Sequence, residues 1–408
     1  MTTERAVVEA CTTKMPSPPR PVHVRARSAV DRLARGHPWV WRESLAGGLS
    51  GVRAGDEVTL IGVDGEVLGH GIADPEAPIA VRSWTHGAVP LDAALWRDRA
   101  ERACALRGRL FAGARTTAMR MLHGEGDRMP GFVVDRYGDV AVARADGEAA
   151  EARMADLAEA IAPALAAHGV SSLVHRRGGR GERPRFEVLR GAEPPAAVTV
   201  EEHGVPFVVD LAQGQKTGAF LDQRDNRKRV GELARARRVL NLYSYAGGFS
   251  LHAALGGAVH VTSVDIAAAA HATAQQSFRV AGLDPGAHAF VTADVRDFLD
   301  RARGRGESWD LVVSDPPSFA PSEKAVPRAL AAYRALHRAC AAVLAPGGLF
   351  CASSCSSHVD AAAFLRTLDD AALGGRELSV LEVRGAGADH PTLADFPEGR
   401  YLKFVVMG

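Results

Sequence analysis

The chain has 408 residues, 47% hydrophobic and 24% charged, which is ordinary for a folded globular protein and too long for one core, so two or three domains are expected. A net charge of +1 excludes a uniformly basic chain, so any polyanion-binding function must gather its positive charge on one face. Five scattered cysteines exclude a disulfide framework and imply a reducing, cytoplasmic setting, and neither a membrane-length apolar run nor a signal-peptide core is present.

Residues 1–19 carry Thr, Ser and Pro without periodicity and read as a disordered tail. Residues 20–88 hold short runs with strand character, Glu57–Ile61, Val67–Ala73 and Ala80–Trp84, separated by turns such as Asp64-Gly65. A small barrel is expected. Arg25, Arg27, Arg32 and Arg35 beside His37, Trp39 and Trp41 are candidates for contact with RNA phosphate, whereas the two tryptophans are expected to fill the barrel core. Residues 89–202 form an α+β linking domain: a helix over Leu91–Ala112, a hairpin around Phe132–Ala143, a helix over Glu151–Ala167 and a strand at Ser172–His175. Gly124-Glu125-Gly126-Asp127 lacks the alternating ligands of a calcium loop, and no metal site is expected. The run from Arg176 to Arg185 is basic and glycine-bearing, either a solvated loop or a clamp on an RNA backbone.

Strands and helices alternate over 203–408, which specifies a mostly parallel sheet covered on both faces, an α/β Rossmann-like domain. Val239–Ser250 is a strand entering a Gly247-Gly248 turn and then a helix, where a ligand can approach the backbone. Successive strands then end on Asp265, Asp294 and Asp315, the first at the distance from the glycines where such folds hold a ribose. Strand, helix and strand from Trp309 to Ser354 make one crossover, placing Asp315 and Cys355 at neighbouring strand ends. Cys351 lies four residues before Cys355 on the same strand face, so it is either the buried thiol of the pair or, as the less favoured alternative, the reactive one. A zinc site at Cys351, Cys355 and His358 lacks a fourth ligand.

Gln215-Lys216-Thr217-Gly218, Leu221-Asp222-Gln223-Arg224-Asp225, Tyr245-Ala246-Gly247-Gly248-Phe249, Asp315-Pro316-Pro317, Ser354-Cys355-Ser356, Asp389-His390-Pro391 and Tyr401-Leu402-Lys403 occur in that order. With them the chain resembles the class I S-adenosylmethionine-dependent methyltransferases, and among these the bacterial 23S ribosomal RNA cytosine carbon-5 methyltransferases with an amino-terminal PUA domain. The resemblance runs from about Arg20 to the carboxyl end. It implies a PUA-type RNA-docking barrel, S-adenosylmethionine as cofactor, and 23S ribosomal RNA or a precursor particle as partner; a homodimer is left open. It further implies Tyr245, Gly247, Gly248, Asp265, Asp294, Asp315 and Gln223 at the cofactor, and Lys216 and Arg224 at the RNA-facing cleft.

Carbon 5 of cytosine becomes nucleophilic only after a thiolate adds to carbon 6. The resemblance makes Cys355 that thiolate, and its strand-end position suggests partial exposure and a lowered pKa. Asp315 would bond the ring nitrogen and amino group. A sister group carries a second cysteine where Ser318 stands here, so the base that removes the carbon-5 proton is left unassigned. Two alternatives stay open: an adenine N6 methyltransferase, against which the aromatic expected directly after Asp-Pro-Pro is Phe319 rather than residue 318, and a non-catalytic RNA-binding protein.

Overall fold

The computed structural model describes residues 19–178 and 185–408; the expected tail and the centre of the basic loop fall outside them. Strands Arg20–Val24, Trp39–Trp41, Leu45–Ala46, Glu57–Ile61, Val67–Ala73 and Ile79–Ser83 form one six-stranded sheet around Val22, Val24, Val40, Val58, Leu60 and Val81. Burial alternates along Glu57–Ile61, the period of two that turns one strand face inward. The tryptophans do not fill this core. Val40 occupies the inward position, so Trp39 and Trp41 necessarily point the other way, and Trp39 packs edge-on to Phe396 at 4.8 Å.

The linking region packs helices Ala93–Leu110 and Met154–Ala167 against a five-stranded sheet. Asp92 caps the first helix by accepting from Leu95 N at 2.8 Å. Trp84, just past the last barrel strand, stacks on Trp96 with ring centroids 4.3 Å apart, so barrel and linking region share buried apolar surface. The boundary expected at 202–203 lies inside a hairpin: Ala197–Glu202 pairs along its whole length with Val205–Asp210, and one ladder cannot be split between two independent domains.

The carboxyl-terminal sheet has seven strands, numbered here within it: β1 (Arg238–Leu242), β2 (His260–Asp265), β3 (Ala289–Thr292), β4 (Trp309–Ser314), β5 (Leu344–Ser354), β6 (Val380–Arg384) and β7 (Lys403–Met407). Their spatial order is β3-β2-β1-β4-β5-β7-β6, parallel except for β7. Helices α1 (Gly248–Leu255), α2 (Ala268–Val280), α3 (Val295–Gly304), α4 (Val326–Ala342) and α5 (Ala361–Leu365) supply the crossovers and cover. Both faces of the sheet are apolar, one against Phe298, Leu336 and Phe364, the other against Phe249 and Phe278, as a sheet wrapped by helices requires. The order in which the chain adds strands reverses between β1 and β4, and ligands of doubly wound folds lie beyond the carboxyl ends of the strands at such a switch point.

Candidate active site

The loop after β1 is held in a conformation most residues avoid. Tyr243, Tyr245 and Gly247 have φ of 56°, 47° and 72°, and a left-handed tyrosine costs roughly 1–2 kcal/mol. Ligation to its neighbours holds it: Tyr245 N donates to Asp265 Oδ2 at 2.8 Å, and the Tyr245 hydroxyl accepts from Gln215 N at 2.7 Å. A Cβ on Gly247 would sit 2.7 Å from the Ala274 methyl, so only glycine permits this approach of loop to α2. Asp265 also accepts from Ala267 N at 2.9 Å, and the next residue, Ile266, is 75% exposed. A carboxylate for ribose hydroxyls, an apolar surface for a base and a glycine turn at the start of α1 fit the adenosine and amino-acid portions of S-adenosylmethionine. Asp294 is exposed and caps α3, with Oδ1 accepting from Arg296 N and Asp297 N at 2.8 and 3.2 Å.

Across the reversal, parallel pairing sets Val313 beside Cys351 and Ser314 beside Ala352, which brings Asp315 and Cys355 to adjacent strand ends. Ser353 and Gln223 lie beside the Asp315 carboxyl, and burial outweighs their lowering effect and pushes it up to about 6. Gln223 is therefore buried against Asp315, with Nε2 on Ser353 Oγ at 2.9 Å, rather than beside Asp265. Cys355 is half-buried, whereas Cys351 is sealed inside and its thiol is pushed to about 12. The expected lowering of the Cys355 pKa is not found: burial raises it, the Asp315 charge raises it further, and Lys216 only partly offsets them. Ser318 bridges the two strand-end loops, Oγ to Ser356 Oγ at 3.1 Å, and Tyr333 from α4 bonds Ser354 and Ser356 at 2.9 and 3.0 Å.

Composition and spacing did not single out Asp222. It is 2% exposed, accepts from Lys216 Nζ at 2.7 Å and the Tyr401 hydroxyl at 2.6 Å, and leaves Oδ1 without a partner. Burial would raise its carboxyl, but Lys216 and His390 outweigh that and hold it well below the usual range. Lys216 thus sits at the crevice, 35% exposed, with its charge shared with Asp222.

Arg224 cannot serve as an RNA contact. Its side chain is fully buried and grips Asp389 through Nη1 at 2.7 Å and Nη2 at 2.9 Å. Asp389 also accepts from Arg120 N at 2.9 Å, and its carbonyl receives Arg107 Nη2 at 2.6 Å, tying the linking region to the catalytic sheet. The same strap continues past Pro391 to Asp395 and Glu398, which pair with Arg35 and Arg32, each at 3.1 Å. These two arginines therefore help dock the barrel, while Arg27 is an exposed partner of Asp64 at 3.2 Å and Arg25 donates to the Glu43 carbonyl at 3.0 Å. Among the described residues no cluster of metal ligands occurs, and no helix is long and apolar enough to cross a membrane.

Comparison with known proteins agrees with this geometry. Residues 145–392 match a family model described as S-adenosylmethionine-dependent methyltransferase, and residues 23–86 match a PUA-like domain. Ribosomal RNA large subunit methyltransferase I of Shewanella denitrificans is 36% identical over 380 residues, covering 92% of this chain and 96% of the relative. The protein of that name from Klebsiella pneumoniae is 33% identical, covering 93% and 96%. In fold, an S-adenosylmethionine-dependent methyltransferase from Streptococcus mutans superimposes with a TM-score of 0.83 at 24% identity, over 95% of this chain and 99% of that one. A methyltransferase solved with SAH gives 0.82 with the same identity and coverage. The chain therefore belongs to the ribosomal RNA large subunit methyltransferase I family, S-adenosylmethionine-dependent enzymes built on a PUA-like domain and a methyltransferase domain.

Proposed function

We propose that the enzyme methylates carbon 5 of a cytosine in 23S ribosomal RNA through a covalent adduct of Cys355. The observation that carries this reading is a half-exposed thiol and a carboxyl that holds its proton up to about pH 6, side by side on adjacent strand ends. The Cys355 sulfur bonds to carbon 6 of the flipped base, and the electron pair this drives onto carbon 5 takes the new methyl group. S-adenosylmethionine supplies that methyl from its sulfonium centre. Asp315, its carboxyl pushed by burial up to about 6, gives a proton to the ring nitrogen as sulfur adds and accepts from the exocyclic amine. A base then takes the carbon-5 proton, the carbon 5–carbon 6 double bond re-forms with expulsion of the thiolate, and the ring nitrogen returns its proton to Asp315.

On this reading Tyr245, Gly247, Gly248 and Asp265 cradle the cofactor, with Asp294 flanking its base, and Gln223 and Ser353 orient Asp315. The barrel and the outward-facing Arg25 and Arg27 dock the RNA. The test is bisulfite sequencing of 23S ribosomal RNA incubated with S-adenosylmethionine and either wild-type enzyme or Cys355→Ala. Wild type should protect one cytosine. The variant should protect none while binding cofactor with unchanged affinity by calorimetry; methylation surviving in the variant would eliminate the adduct.

A further inference from the structure

Lysine is scarce in this chain: of 49 lysine and arginine residues only Lys14, Lys216, Lys228, Lys324 and Lys403 are lysine. Two of these five border Cys355. Lys403 begins β7, in register with Ser354, and is 4% exposed. Its Nζ donates to the Ser356 carbonyl at 2.6 Å and the Tyr401 carbonyl at 2.7 Å. Both partners are neutral oxygens, although a buried ammonium is ordinarily matched with a carboxylate because its desolvation is costly. A compact ammonium fits between two carbonyls where a planar guanidinium does not, and, unlike arginine, it can shed its proton.

Resting on the adduct reading, we propose that Lys403 is a positioning residue for the nucleophile: it pins the 355–359 turn through the Ser356 carbonyl, and its ammonium favours the Cys355 thiolate. The thiol proton leaves to solvent at the half-exposed sulfur. Lys216, Asp222 and Asp315 face the same sulfur; the two acids oppose its ionisation and Lys216 assists it. Asp360, at the start of α5, and Cys355 itself favour the ammonium of Lys403, and the Tyr333 hydroxyl from α4 fixes Ser356. Burial lowers the Lys403 pKa to about 8, so its charge is present below that pH and lost above it.

The test is alkylation of Cys355 by iodoacetamide across pH 6.5–9.5, read peptide by peptide so that Cys11 and the buried thiols do not interfere. Lys403→Met should slow alkylation about tenfold below pH 8, the equivalent of one pKa unit, with the gap closing above it. An unchanged rate and pH profile in a folded, cofactor-binding Lys403→Met protein overturns the proposal. Should that variant not fold, the wild-type lysines are labelled with carbon-13 and titrated by NMR before and after Cys355 is capped. Capping removes the thiolate and should lower the Lys403 pKa, because such coupling is reciprocal; no movement is equally fatal. Neither readout needs methyl transfer, so failure of the adduct reading would register separately.

Discussion

Arg224→Leu removes one half of an ion pair in which both side chains are fully buried. Breaking such a pair from one side costs about 3–5 kcal/mol, because the remaining charge stays in a site built for two. Asp389 would keep only its bonds from Arg120 N and His390 Nδ1, both 2.9 Å. At roughly 2–4 °C per kcal/mol for a unit of 150–250 residues, the melting temperature should fall by about 10 °C. The lost contact joins linking region to catalytic sheet, so calorimetry should also show the single transition splitting. Burial pushes the Asp389 carboxyl up, but His390 and Arg224 outweigh it and hold it well below the ordinary range. Its stabilisation is therefore fully present above the unfolded value near 3.9 and is lost only as pH falls below that, so the deficit should be constant from pH 6 to 8. Arg27→Leu is the comparison, since its partner is exposed and such pairs contribute under about 1 kcal/mol. That variant should instead flatten the salt dependence of RNA binding by about one phosphate contact. Equal thermal effects of the two substitutions, or a shallower salt slope in the Arg224 variant, would refute the assignment of Arg224 to the frame.

Asp315→Asn should abolish methylation yet raise the melting temperature at pH 7.5. A carboxyl held near 6 against an unfolded value near 4 costs the folded state at most about 3 kcal/mol above pH 6, less here because the side chain keeps some solvent access, and nothing below pH 4. The advantage of the variant should therefore vanish in acid, and one that persists at pH 4 would mean the gain has another source. Asp265→Ala should weaken S-adenosylmethionine binding at least tenfold by calorimetry, the loss of about 1.5–3 kcal/mol expected for a charged hydrogen bond, whereas Asp294→Ala should lower stability through its cap by about 1 kcal/mol. Undiminished cofactor affinity in Asp265→Ala would remove the ribose assignment.

What the sequence disclosed and what it hid divide along a physical line. Period-two and period-3.6 patterning, glycine turns and acids at strand ends are local, and they placed β1, β2, β4 and β5, the Gly247 turn and the adjacency of Asp315 and Cys355 before any coordinates. Burial of a charged side chain is decided by distant partners. Arg224 precedes Asp389 by 165 residues, and nothing around Arg224 distinguishes it from the neighbouring Arg227 or Lys228 as an RNA contact. The two barrel tryptophans were misplaced for a related reason: large aromatics belong in cores, but Trp39 is covered by Phe396 from the far end of the chain.

The pKa of Cys355 exposes the same limit and has a mechanistic consequence. A strand-end cysteine was expected to ionise readily, yet burial holds the thiol up and Asp315, the acid that would protonate the base on the proposed reading, stands beside it and adds to that. The two demands conflict, since a carboxylate near enough to bind the flipped ring also repels the thiolate that must attack it. On the proposed adduct reading, once Asp315 has given its proton to the ring nitrogen it is again an anion, and at that moment the sulfur is already bonded to carbon 6 and carries no charge. Repulsion then acts against the free thiolate and not against the adduct. It returns on elimination, when the site must recover a protonated Asp315 or a countercharge, and Lys216 faces the sulfur while Lys403 holds the turn that carries it through the Ser356 carbonyl.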